Sequence, residues 1–176
     1  VTAVWIAGGM EAGFYVTLYA AKTFLPIYAL SIGINTAAIG AAFAVQEGTH
    51  IVLTPIGGRI SDRLGHLQSA AYGMIILGIA LLLFTTVDKG AALVATAVLI
   101  GLAQSLVLPS AVAFASSQIR EENLALGIGL VGMMRNIGKV VGPAMAGAAI
   151  ALLDFTATFR ALGMLVLAVA TVLWFK

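Results

Sequence analysis

Cysteine is missing altogether from the 176 residues, and charged side chains make up only 9% of them. Without thiols the chain has neither disulfides nor thiolate metal sites, and His50 and His66 alone supply imidazole, too few for a structural metal centre. Soluble domains carry about 25% charged residues. The 61% hydrophobic content and a mean hydropathy of +1.10 therefore point to lipid as the solvent. Basic clusters are missing too: nine Lys and Arg against seven Asp and Glu leave +2, no footprint for a nucleic acid. At Val1 there is no initiator methionine, and no basic leader with a small-residue cleavage site follows before the chain turns apolar. The expectation is a piece of a longer protein.

What is present is a succession of six apolar stretches, near Gly9 to Leu30, Thr36 to Ile56, Leu67 to Val87, Ala91 to Ser116, Leu124 to Leu152 and Ala161 to Phe175. A helical span needs about 20 mostly apolar residues. The connections at residues 31–35, 58–66, 88–90, 118–123 and 154–160 are all short, which makes sequential helices antiparallel neighbours. The fold class that follows is all-α: a polytopic membrane protein whose residues 1–176 form one six-helix transmembrane bundle with no room for a soluble domain. The first, second and fifth spans are polar and the fourth mildly so, with Gln104, Ser105, Pro109 and Ser110. The third and sixth are greasy and are expected to face lipid. A polarity pattern with a period of three helices suggests two three-helix units, as in inverted-repeat transporters.

The sharpest feature is Gly58 to His66, a charged hinge holding Arg59, Asp62 and Arg63 between apolar runs. Six spans put this hinge on one side with the 118–123 loop and both termini, where Arg59, Arg63, Arg120 and Lys176 face Lys89 and Arg160 on the other. The positive-inside rule assigns the hinge side to the cytoplasm.

Charge inside the spans is costly, at least about 2.5 kcal/mol per residue on insertion scales, and normally faces a cavity or a partner. Glu11 and Lys22 lie eleven residues apart, close to three whole turns, with Tyr15 and Leu18 on the same stripe. This is either the wall of a translocation path or a pair of interfacial residues, Lys22 snorkelling outward. In the second span Gln46, His50 and Thr54 recur every four residues, and Glu47 stands three before His50. Such a Glu and His can share a proton, or the stripe can simply lock helix packing.

The fifth span contains Arg135 and Lys139 at i,i+4. Counting about 11 residues from Leu124 places Arg135 roughly 16 Å deep in a core of about 30 Å. Two like charges at that depth need a counterion: Glu47, Glu11 or an anionic substrate. Gly138 and Gly142 form a GxxxG, Pro143 can bend the helix, and Gly147 follows, so that packing or gating is expected here.

Gly58, Asp62, Arg63 and Gly65 match the Gly-x-x-x-Asp-Arg-x-Gly core of the loop after the second helix in each half of the major facilitator superfamily, and Gly142-Pro143 followed by Gly147 resembles that family's fifth or eleventh helix. With six spans in place, the resemblance covers essentially the whole chain. Two departures stand out: His66-Leu67 replaces the usual basic pair, and no Arg precedes Gly101-Leu102-Ala103-Gln104. Both fit the C-terminal half of a twelve-helix transporter. The resemblance implies alternating access, with Glu11, Tyr15 and Lys22 on the path, Arg135, Lys139, Glu47 and His50 near the seam between halves, and Asp62 with Arg63 latching a cytoplasmic gate. It implies a multi-pass protein of the bacterial inner membrane. The implied activity is proton-coupled efflux of a small solute, with organic anion or sugar uptake as the alternative. The implied partners are the lipid bilayer, H+ and the missing N-terminal half. A reading of another class is a membrane scaffold subunit that transports nothing. An enzyme is not expected, since no nucleophile–base pair, metal-ligand cluster or phosphate-binding glycine loop is present, and no cofactor is implied.

Overall fold

The computed structural model describes residues 2–86 and 90–174. These form α1 (Thr2–Ser31), α2 (Thr36–Leu64), α3 (His66–Phe84), α4 (Gly90–Gln118), α5 (Leu124–Leu152) and α6 (Phe155–Trp174), with a 3-10 turn at Glu121–Asn123 before α5. Lys89 and Lys176, two of the residues weighed in the orientation argument, lie outside the described residues.

The turns are made by few residues. Gly33, at φ +83°, ends the first turn region, and the Asn35 side chain then caps α2 by accepting from the Ala38 amide at 2.8 Å. Asp154 does the same for α6 through Ala157 N at 2.6 Å, satisfying an amide that the helix itself leaves free. The expected nine-residue hinge is corrected here. α2 runs on through Gly58, Arg59, Asp62 and Arg63 to Leu64, and only Gly65, at φ +99°, leaves the helix, its amide donating to Ser61 O at 3.0 Å. Charge marks where a helix emerges from hydrocarbon, and charged residues are tolerated by helical backbone, so hydropathy misplaced the turn. For the same reason α6 begins at Phe155 rather than Ala161, taking in Arg160, while α1 begins at Thr2 rather than Gly9 through residues that carry no charge.

Four segments, His66–Phe84, Gly90–Gln118, Glu121–Leu152 and Phe155–Trp174, are long and apolar enough to cross a membrane by length and composition. α1 and α2, at 30 and 29 residues, are as long, but Glu11 and Lys22 in one and Gln46, Glu47 and His50 in the other lower their mean hydropathy. The chain is an all-α polytopic membrane protein.

Packing follows the two three-helix units. α1 lies along α5 and α2 along α4, each pair parallel, while α3 packs against α4 and α6. Exchanging the first and second triplets maps the α1–α5 contact onto the α4–α2 contact, as an inverted repeat requires. The registers are set by glycines. A Cβ on Gly138 would strike Ala12 O, and one on Gly142 would strike Val16 O; in the other seam Gly57 meets Ser105 O and Gly101 meets Gln46 O. Only a residue without a Cβ allows this approach. At the far end of α1, Tyr28, Phe84, Phe155 and Phe159 form an aromatic cluster, Tyr28 stacking on Phe155 with centroids 4.4 Å apart, that ties α1, α3 and α6 together.

The expectation that α3 faces lipid is also corrected. More than half of its apolar window is buried inside the bundle, with Ala70, Met74, Leu77 and Leu81 in the core. A helix apolar all round packs as readily against protein as against lipid. Of the four most apolar helices α5 is the most open, with only 17% of its window buried.

Candidate functional site

Glu11 is completely buried. It sits on α1 one turn before Tyr15, facing α5, whose Arg135 Nε lies 3.5 Å from Glu11 Oε2. The close approach at Gly138 and Gly142 brings these backbones near enough for the contact. The two groups attract as opposite charges, yet neither Glu11 oxygen has a hydrogen-bond donor among the described residues.

One turn along, Lys139 Nζ lies over the Tyr15 ring at 5.2 Å and the Tyr19 ring at 5.6 Å, while the Arg135 guanidinium lies 5.9 Å from the Tyr15 centroid. Cations over such ring faces gain from the aromatic quadrupole. Lys22 stands over the other end of the pair, 5.6 Å from Tyr19, and reaches across to α2, donating to Glu47 Oε1 at 2.5 Å. His50 Nδ1 is 3.7 Å from the other oxygen of Glu47. The result is one continuous chain of polar groups, from Glu11 through Arg135, Tyr15, Lys139, Tyr19 and Lys22 to Glu47 and His50.

Three helices thus deliver all seven residues that the sequence placed on a substrate or proton path. Of the counterions considered for Arg135, the structure puts Glu11 beside it and gives Glu47 to Lys22. Lys139 has no carboxylate partner among the described residues. Behind Glu47, Gln46 donates to Gln104 of α4 at 2.9 Å, a buried amide pair between α2 and α4. Thr54 bonds only the His50 carbonyl and adds nothing to the chain.

Proline shapes the same region. Pro26 and Pro143 lie inside α1 and α5, four residues after Lys22 and Lys139 respectively. A proline has no N–H, so the carbonyls of both lysines lose their intrahelical donor, and each helix is weakened where it carries its lysine.

The proposed gate residues are placed otherwise. Asp62 and Arg63 are exposed at the end of α2 and make no ion pair among the described residues. Ser61, buried beneath them, bonds His66 Nδ1 at 2.8 Å and closes the turn at Gly65. Gly58 has open space where a Cβ would stand, whereas its neighbour Gly57 packs on α4. Sequence reasoning singled out Gly58, Asp62, Arg63 and Gly65 and missed Gly57 and Ser61. The small side chains at 57 and 61, one turn apart, were the available signal. Gly147 faces the Phe24 ring. A cavity of about 690 Å³ lies apart from the charged chain, between Val4 and Trp5 of α1, Arg120 and Asn123 of the α4–α5 connection, and Leu130 and Met134 of α5.

Comparison with known proteins matches residues 8–176 to the Major Facilitator Superfamily. Quinolone resistance protein NorA of Staphylococcus aureus is 23% identical over 123 residues, 70% of this chain and 32% of that protein. Multidrug transporter protein MdtP of Bacillus subtilis is 28% identical over 142 residues, 77% of this chain and 26% of that protein. The chain thus spans about a third or less of the curated relatives it matches.

Proposed function

Because the chain belongs to the Major Facilitator Superfamily, we propose that it forms one six-helix half, the C-terminal one, of a twelve-helix secondary transporter that exports small solutes in exchange for protons across a bacterial inner membrane. The observation that carries this is Glu11. A carboxylate wholly removed from solvent, in contact with one guanidinium and with no hydrogen-bond donor, can trade that contact for a proton. Doing so frees Arg135 and changes which arrangement of the bundle is favoured. The Lys22–Glu47–His50 group is a second place where a proton and an ion pair compete, and it joins α1 to α2, which otherwise barely touch.

The rest of the transporter belongs on the open faces of α2 and α5. Ile51, Val52, Ile137 and Val140 are exposed there, and α5 adds Gly129, Gly132 and Asn136, small and amide side chains suited to helix contact rather than to lipid. Drug-like solutes as the cargo are supported by the names of the two relatives, a quinolone resistance protein and a multidrug transporter protein, and export is the direction by which a transporter would confer resistance.

The test is reconstitution of the full-length transporter in proteoliposomes with an imposed pH gradient, following ethidium movement by fluorescence. The wild type is expected to move ethidium against proton flow, and Glu11→Gln to abolish the response to the gradient while Tyr72→Phe, far from the polar chain, leaves it intact. Gradient-driven movement that survives in Glu11→Gln removes Glu11 from the coupling.

A further inference from the structure

The polar chain contains three cations, Lys22, Arg135 and Lys139, and two carboxylates, Glu11 and Glu47. Lys22 has Glu47 at 2.5 Å and Arg135 has Glu11 at 3.5 Å. Lys139 has only ring faces among the described residues. Over these five groups one positive charge is left over, and it sits at the middle of α5, fifteen residues from Leu124 in a 29-residue helix. At that depth an unbalanced charge is unfavourable by at least about 2.5 kcal/mol, and a mobile anion would remove the imbalance.

The surroundings also say what kind of anion. Tyr15 and Tyr19 stand with centroids 6.0 Å apart and planes tilted by 38°, forming an aromatic shelf along α1 beneath the Lys139 ammonium. Tyr19 is partly exposed, while Tyr15 and its neighbour Phe14 are buried, so the ligand's body meets the Tyr19 ring and only its charged end meets Lys139. The cluster is reachable, since the Glu47 side chain is 44% exposed at one end and Lys139 itself is only half-buried.

We propose that Lys139, with the Tyr15–Tyr19 shelf, is a subsite for the carboxylate of an organic monoanion with a planar apolar body. The inference rests on the reading of this cluster as a transport path and adds the charge of the ligand. A doubly charged anion would overcompensate the single surplus cation, and a cation such as ethidium would bind away from Lys139.

The test compares 2-naphthoate with 2-naphthamide, which share shape and differ in charge, binding to purified full-length transporter followed by intrinsic tryptophan fluorescence. The naphthoate is expected to bind at least about tenfold more tightly to the wild type. Lys139→Gln is expected to bring the ratio close to one, while Lys139→Arg, which keeps the charge, retains most of it. Equal binding of the two probes by the wild type overturns the proposal without recourse to any variant, and so does a ratio unchanged in Lys139→Gln. Ethidium transport measured on the same preparations separates this subsite from the exporter reading. Gradient-driven ethidium movement with no naphthoate preference removes the subsite alone. A naphthoate preference lost in Lys139→Gln, in a protein that moves no ethidium, supports the subsite and removes the exporter.

Discussion

Along the α1–α5 seam glycines of α5 meet carbonyls of α1 at Ala12 and Val16, and along the α2–α4 seam Gly57 and Gly101 meet carbonyls of the facing helix at Ser105 and Gln46. The two seams correspond under the exchange of helix triplets, so their close approach is a property of the repeated architecture. Their contents differ. The first holds Glu11, Arg135 and Lys139 with two tyrosines, and the second holds the uncharged Gln46–Gln104 pair. A satisfied amide pair in low dielectric fixes one geometry. An ion set with a surplus charge responds to protons and ligands, because each changes the balance of the same few groups. The comparison teaches that backbone packing can be duplicated while the charges held between the two packed helices are confined to one copy.

Filling the glycines is the most severe way to break this parallel. Gly142→Leu and Gly101→Leu each put a branched side chain where a carbonyl already stands, and each is expected to cost roughly 3 kcal/mol or more, read as loss of folded protein in detergent thermal unfolding. Gly13→Ala, with nothing within 4 Å of the new Cβ, is expected to stay within about 0.5 kcal/mol. If one seam tolerates leucine and the other does not, the packing equivalence fails.

Exchanging the polar contents sharpens the contrast. Glu11→Gln strands Arg135 and is expected to destabilise by about 2 kcal/mol, less than for a fully buried pair because Arg135 keeps some solvent. Adding Arg135→Gln should return part of that loss, a coupling measurable by a double-mutant cycle. Gln104→Leu leaves Gln46 with only its long contact to Glu47, at 3.5 Å, and is expected to cost roughly 1–2 kcal/mol, most of which the double leucine variant should recover. The response to the proton gradient should vanish in the first cycle and survive in the second. Survival in both would make the charged seam merely structural.

The smallest effect on stability is expected at the α2–α3 turn. Asp62 is exposed and makes no ion pair among the described residues, so Asp62→Asn should leave thermal stability within about 0.5 kcal/mol yet slow transport several-fold relative to Ile60→Val. Equal rates for the two variants would show that Asp62 is only a polar residue at a helix end.

Much of this was legible in the chain. Six apolar runs gave the helices, and the spacing of Glu11, Tyr15 and Lys22 put them on one face, as the i,i+4 spacing did for Arg135 and Lys139. The errors were of one kind. Hydropathy located the hydrocarbon boundary and was mistaken for the helix boundary at Gly58 and Ala161, and the apolar α3 was assigned to lipid although α4 and α6 cover it. Gly57 escaped notice because a glycine announces a close approach only when its neighbour is known.

The sequence by itself determined that this is a helical membrane protein with ionisable groups in three of its helices, because the length of apolar runs and the period of the helix are local properties. Only the tertiary structure decided which groups meet: Arg135 with Glu11, Lys22 with Glu47, and Lys139 with the Tyr15 and Tyr19 rings. The helical period fixes where a side chain stands around its own axis. Which partner it faces depends on the register between helices far apart in the chain, and that register is set where a missing Cβ lets two backbones touch.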